Sequence, residues 1–267
     1  MKEQKTIRIG TSGFSYEDWK GPFYPGTLAK KDMLSYYCMY FKTVELNSTY
    51  YVLPSVTAME KLAIRTPDDF EFVIKLHQEI THRRQEPWTV LTNLQQVLSP
   101  LLQSGKGRAL LAQFPYSFKN NLANRKYLLT VRESLTNFPL FVEFRHNSWN
   151  KPAVFEFLTS HDIGYVNVDE PSLPGLLPMQ SIVTNSLGYV RFHGRNAQKW
   201  WQGQGSERYD YLYSEQELRQ WVEHIRQIMR QTAKAYIFFN NHPRGQAIKN
   251  AMQFREMLTA QTKLLIE

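Results

Sequence analysis

One pattern recurs along the chain: short runs in which apolar and polar residues alternate, each closing on two polar residues spaced two positions apart. The pairs are Glu45/Asn47, Lys75/His77, Glu143/Arg145, Asn167/Asp169 and Arg191/His193. Their neighbours Val44, Leu46, Ile74, Leu76, Val142, Phe144, Val166, Val168, Val190 and Phe192 are all apolar. A period of two marks strands with one face turned to a greasy layer. The alternation predicts eight strands, at 7–10, 43–47, 70–77, 109–114, 140–145, 164–169, 188–193 and 235–240. Segments with helical spacing fall between most of them, at 30–40, 56–64, 90–102, 122–135 and 154–160, and again at 215–231 and 247–258. Ser214 ahead of Glu215 and Glu217 offers an N-cap with its capping-box partner. The stretch between Asp169 and Gly188 carries three prolines and a glycine, so this crossover is expected to be irregular rather than helical.

Strand followed by helix, repeated, predicts a parallel sheet. An open doubly wound sheet gathers its useful residues on two or three strands at a switch point. Here polar ends fall on at least six strands, counting Gln113 and the Asn240-Asn241 pair, and so many converge only around a shared axis. The predicted fold class is therefore α/β, a single TIM-type (β/α)8 barrel with one irregular crossover between strands six and seven. Its site is expected at the C-terminal mouth. The 267 residues match the length of one such barrel, about 250 residues. No composition shift marks a boundary, so residues 1–267 read as one domain.

Six segments taken together, in order, resemble the DUF72 family of barrel proteins, also called YecE-like. They are GTSGFSYEDWKGPFYP from Gly10, VELNSTYYVLP from Val44, QFPYSF from Gln113, VEFRHNSW from Val142, YVRFHGR from Tyr189 and FFNNH from Phe238. The resemblance spans almost the whole chain. It implies a TIM-type barrel and leaves the chemistry open.

Charge and cysteine content narrow the setting. The formal charge of +8 draws anions, yet the basic residues are scattered, with no run longer than Lys30-Lys31 or Arg83-Arg84, unlike a dedicated nucleic-acid stripe. No apolar stretch reaches signal-peptide or membrane-span length, and the single cysteine, Cys38, forms no internal disulfide, so a cytoplasmic protein without a membrane partner is expected. Cys38 reads as a small buried hydrophobe before it reads as a nucleophile. Nothing in the sequence speaks to oligomeric state.

If the alternation holds, Glu45, Lys75, Glu143, Arg145, Asp169 and Arg191 all point into the mouth. Burying six charges is costly unless they pair with one another or a ligand completes the set. A self-neutralising ion network is the plain reading; a functional pocket is the sharper one, since barrel interiors are usually filled with branched aliphatics. Three interleaved cations oppose a divalent metal, so no metal and no cofactor is expected. The same cations suit a phosphate or carboxylate. Glu143, Asp169 and His193 are the candidate catalytic acid/base groups. Glu45, Asn47, Lys75, His77, Gln113, Arg145, Arg191, Arg195 and Asn240 are the candidate substrate-binding groups. An adjacent carboxylate is expected to keep Lys75 charged, which ranks it as an anion ligand ahead of a Schiff-base lysine. Aromatic residues at 200, 201, 209 and 211, with glycines at 203 and 205, suit a lid over the mouth.

The preferred reading is an acid/base enzyme acting, without a metal, on a small anionic substrate, phosphorylated or nucleotide-like. The alternatives are a protein that binds or processes nucleic acid and a noncatalytic receptor for a metabolite.

Overall fold

Eight parallel strand positions close around one axis in the computed structural model, which describes residues 5–261 and 264–267. The strands are β1 (Thr6–Thr11), β2 (Thr43–Leu46), β3 (Glu71–Lys75), β4 (Gly107–Gln113), β5 (Leu140–Glu143), β6 (Ile163–Tyr165), β7 (Asn167–Asp169), β8 (Leu187–Phe192), β9 (Lys234–Phe239) and β10 (Leu265–Ile266). The α-helices are α1 (Met33–Tyr37), α2 (Val56–Ile64), α3 (Pro87–Gln103), α4 (Leu122–Glu133), α5 (Pro152–Ser160), α6 (Glu215–Gln231) and α7 (Gln246–Gln261). Pairing runs β10-β1-β9-β8-β7 in one arc and β2-β3-β4-β5-β6 in the other. The arcs meet at two seams. At the first, β6 and β7 are consecutive pieces of one strand position, interrupted at Val166. At the second, Ser12 bridges to Glu45 above, while β10 takes the lower pairing of β1. The two-residue β10 is an addition that the sequence periodicity does not predict.

Helices cover the outside for the reason their sequences give. α6 turns Leu218, Trp221, Val222, Ile225, Ile228 and Met229 to the strands, and its start is fixed by the Ser214/Glu217 capping box. Residues 170–186 contain neither helix nor strand. The Asn167 side chain pins this crossover, its Nδ2 donating to the Ile182 carbonyl and its Oδ1 accepting from the Ile182 amide, both at 2.8 Å.

Register puts three layers inside the barrel. At the N-terminal end Glu71 gathers Arg8, Arg108, Lys234 and the Tyr236 hydroxyl. Above it lies an aromatic layer, with Tyr189 edge-on to both Phe141 and Phe238 at 5.1 and 5.5 Å between centroids. Gly164 is needed here, because a Cβ at that position would stand 2.3 Å from the Phe141 ring. The aromatic layer is a dry floor for the third layer, the charged mouth. Among the described residues no helix is long and apolar enough to cross a membrane.

Candidate active site

Arg191, fully buried on β8, is the centre of the mouth. Its Nε and Nη2 hold the two oxygens of Glu45 on β2 at 2.8 and 2.6 Å, and its Nη1 holds Glu143 Oε2 on β5 at 2.5 Å. The Tyr189 hydroxyl completes Glu45 at 2.5 Å. A single guanidinium thus bridges two fully buried carboxylates from different strands, in the fork geometry that only arginine provides. Burial alone would raise the Glu143 pKa, but Arg145 and Arg191 outweigh it and hold the carboxyl well below the ordinary range.

Above this centre, Arg145 Nε lies 2.7 Å from Glu143 Oε1 and its Nη1 lies 3.4 Å from Glu170. His193 is completely enclosed: its Nδ1 lies 3.1 Å from Asn240 Nδ2, and its Nε2 lies 3.2 Å from both Glu143 Oε1 and Arg145 Nη2. Burial, then Arg145, lowers the His193 pKa to about 3. The imidazole is therefore neutral across the physiological range.

Two chambers open over these groups. The smaller, about 150 Å³, has Arg145, Arg208, His82 and Gln113 among its walls, with Trp200 and Trp201 beside them. The larger, about 390 Å³, is bounded by Lys75, Asn47, Asn240 and His242, with Tyr16 and Tyr51. Tyr209, from the short 3-10 turn Glu207–Tyr209 in the loop between β8 and α6, is a wall of both. Neither lining contains a carboxylate, although each contains cations. A groove of about 740 Å³ lies at the opposite end of the barrel, but its charges are engaged on the surface, Lys42 with Glu267 at 2.9 Å and Arg255 with the Tyr40 carbonyl. Barrel chemistry sits at the C-terminal mouth, so the two chambers are the candidate site despite the larger groove below.

Residues 8–267 match the family described as "Protein of unknown function DUF72". The chain belongs to the DUF72 family. The UPF0759 protein YunF of Bacillus subtilis (strain 168) is 32% identical over 269 residues, covering 94% of each chain. The crystal structure of a DUF72 family protein from Thermotoga maritima MSB8 is 44% identical with a TM-score of 0.88, over 95% of this chain and 99% of that one. A DUF72 family protein from Enterococcus faecalis V583 is 29% identical with a TM-score of 0.83, over 95% of both chains. The expected family and the expected TIM-type fold are therefore found.

Within this DUF72 chain the mouth differs from the sequence reading at several points. Asp169 does not point inward. Val168 pairs in register with the inward Arg191, so Asp169, one residue on, faces the helices beside Phe192. There it accepts from Arg195 (2.9 and 2.6 Å), Tyr213 Oη (2.7 Å) and Trp221 Nε1 (2.6 Å). Arg195 is consumed in the same cluster and lines neither chamber. Replacing Asp169 with asparagine puts an amide donor against these donors. We expect a loss of about 3 kcal/mol in urea unfolding, with small-anion binding at the mouth kept within about twofold. Glu143 is locked between two arginines and His193 is neutral, so neither is a group that gains and loses a proton near neutral pH. His77 stands past the strand end, its Nε2 3.3 Å from the Tyr51 carbonyl, outside both linings.

Two features were missed. Glu170, one past Asp169, is the inward carboxylate; burial raises its pKa to about 7 even beside Arg145. Continuing the Val166/Val168 face by two residues would have found it. Arg208 lines the small chamber with no carboxylate within ion-pair distance among the described residues. Lys75 also departs from expectation: its Nζ donates to the neutral Gln113 Oε1 at 2.8 Å, and among the described residues no carboxylate comes within ion-pair distance of it, although Glu45 and Glu143 act on it from farther off. Burial, then Arg191, lowers its pKa to about 7. Cys38 is half-buried, and burial pushes its thiol up to about 12, as befits a small hydrophobe. Among the described residues no group of three or more His, Cys, Asp or Glu side chains is placed to hold a metal ion.

Proposed function

We propose that this protein is an enzyme that holds a small anionic molecule at the C-terminal mouth and works on it by proton transfer through its own side chains. The carrying observation is the charge balance of the walls: two chambers lined by Arg145, Arg208 and Lys75, with no carboxylate facing either space. The nearby carboxylates stand outside both linings, Glu45 and Glu143 on Arg191 and Glu143 and Glu170 on Arg145, which leaves Arg208 and Lys75 without an ion-pair partner among the described residues. The small chamber suits a phosphate or carboxylate group between two guanidiniums, with the indoles of Trp200 and Trp201 beside it. The rest of the molecule then extends past Tyr209 into the larger chamber. There Lys75 meets it with an amine that gains and loses its proton near pH 7, the match that general acid/base catalysis needs. His193, Glu143 and Glu45 hold Arg145 and Arg191 in place in this reading.

Titration calorimetry with inorganic phosphate tests it. We expect saturable binding to the intact chain, weakened about tenfold by Arg208→Ala, which removes a guanidinium without breaking an ion pair. Absence of saturable phosphate binding, together with binding of a single-stranded oligonucleotide that weakens steeply with salt, would replace this reading with the nucleic-acid one.

A further inference from the structure

We propose that Lys75 is a nucleophile, forming a covalent imine with the carbonyl carbon of a small anionic aldehyde or ketone held in the mouth. This deepens the proposed function and rests on its anion-binding chamber. It also explains why this lysine is paired with an amide when carboxylates stand so close.

Three observations carry it. First, Lys75 is placed to react: among the described residues its Nζ is tied by a single hydrogen bond, to Gln113 Oε1 at 2.8 Å, and the residue lines the 390 Å³ chamber. Gln113 also lines the small chamber, so the amine and the guanidiniums serve one continuous ligand. Second, the charged groups below it are already spoken for. Glu45 and Glu143 are held by Arg191 and Arg145 lies on Glu143, so the pull of the two carboxylates on the Lys75 ammonium is opposed by the like charges of Arg191 and Arg145, and burial decides the direction. An amine near pKa 7 is about half neutral at pH 7, whereas one at the ordinary 10.5 is neutral in roughly one molecule in three thousand. Third, the surroundings suit the product. The Tyr50 ring lies 4.7 Å from Nζ and favours a cation there. It therefore acts against the neutral amine, but weakly, and stabilises the iminium, which bears the same positive charge. Asn47 Oδ1, in the chamber wall, has no hydrogen-bond partner among the described residues and is an acceptor free for a substrate hydroxyl.

The step balances without an added oxidant or reductant. The lone pair of neutral Nζ forms the C–N bond as the carbonyl π pair moves to oxygen. One proton passes from nitrogen to that oxygen, giving a carbinolamine. A second proton, from chamber water, lets the hydroxyl leave as water while the nitrogen lone pair forms C=N. The product is a protonated imine, an electron sink for bond cleavage or proton loss at the neighbouring carbon.

The test is reductive trapping on the full chain: glyoxylate as the anionic aldehyde, borohydride to fix the imine, and peptide mass mapping to locate it. Exposed Lys119 and Lys151 are internal references. We expect Lys75 to be labelled about tenfold faster than either at pH 7, with its rate levelling off above about pH 7 while theirs keep rising. Gln113→Glu places a carboxylate against Nζ and should cut Lys75 labelling about tenfold by restoring the ammonium. Labelling of Lys75 no faster than the references, in a chain that still binds phosphate in the calorimeter, overturns the imine and leaves the anion reading standing. Fast Lys75 labelling that neither phosphate nor Arg208→Ala alters supports the imine while removing the anion reading.

Discussion

Arg191→Met should destabilise the fold by about 5 kcal/mol, read as a large fall in the urea midpoint, because it strands the buried Glu45 and takes from Glu143 one of its two guanidiniums. Glu45 and Glu143 are both 0% exposed, and three of their four oxygens rest on this guanidinium at 2.5 to 2.8 Å. Breaking one buried pair by removing a partner costs about 3–5 kcal/mol, and here Glu143 also loses one of its two guanidiniums, keeping only Arg145. The same logic predicts a rescue. Adding Glu45→Gln and Glu143→Gln to Arg191→Met removes the orphaned charges and should recover about half of the loss. If the single substitution costs less than about 1 kcal/mol, the two acids do not depend on Arg191 and the description of the centre is wrong.

His193→Gln should flatten the dependence of stability on pH. The folded chain holds this imidazole neutral, its pKa lowered from 6.5 to about 3 by burial and by Arg145, while the unfolded chain takes up a proton as the pH drops past 6.5. The unfolded state binds more protons in that window, so the stabilisation is fully present above pH 6.5 and is lost as the pH falls toward 3. The slope from one such group is about 1.4 kcal/mol per pH unit, and over the whole interval it amounts to about 5 kcal/mol. Glutamine keeps a donor toward Glu143 and has nothing to titrate. Unfolding free energies measured between about pH 6 and 5, above the ordinary glutamate value of 4.5 at which the unfolded Glu143 titrates, should show the wild-type slope steeper by close to one proton. Equal slopes in the two proteins would mean that His193 is protonated in the fold.

How much of this was legible beforehand follows from what alternation can encode. A strand's period of two tells which residues share a face, and the polar ends of 45, 75, 143 and 191 identified the faces that converge. It does not say which face is inner. For most runs the outer face is apolar because aliphatic helices cover it, and the choice is made by composition. In the run Tyr165 to Glu170 the covering helix offers Trp221 Nε1, and the loop before it offers Tyr213 Oη, so the outer face is polar and the inner one is Val166 and Val168. Inside and outside therefore exchange, Asp169 becomes an anchor for the outer layer, and Glu170 takes the inward place. The division of charge was hidden for a different reason. Glu45 and Glu143 were equally available to Lys75, Arg145 and Arg191 in the sequence; only three-dimensional reach gives both to Arg191 and leaves Lys75 to an amide. The chambers depend on where residues 195–213 settle, and that loop has no period to read. The floor contact of β10 is two residues long, below any periodic signal.

Arg191 ties β2 and β5 to β8, three stations on an eight-station ring, through one rigid planar head. Such a cross-strut fixes the bore of the cylinder: the three staves it joins cannot slide or splay independently without breaking charged contacts in a dry interior. Molecules of different girth cannot then be admitted by the barrel widening. Selection by size falls to Tyr209 and the segment that carries it, which separate the two compartments and are the part of the mouth not lashed to that strut.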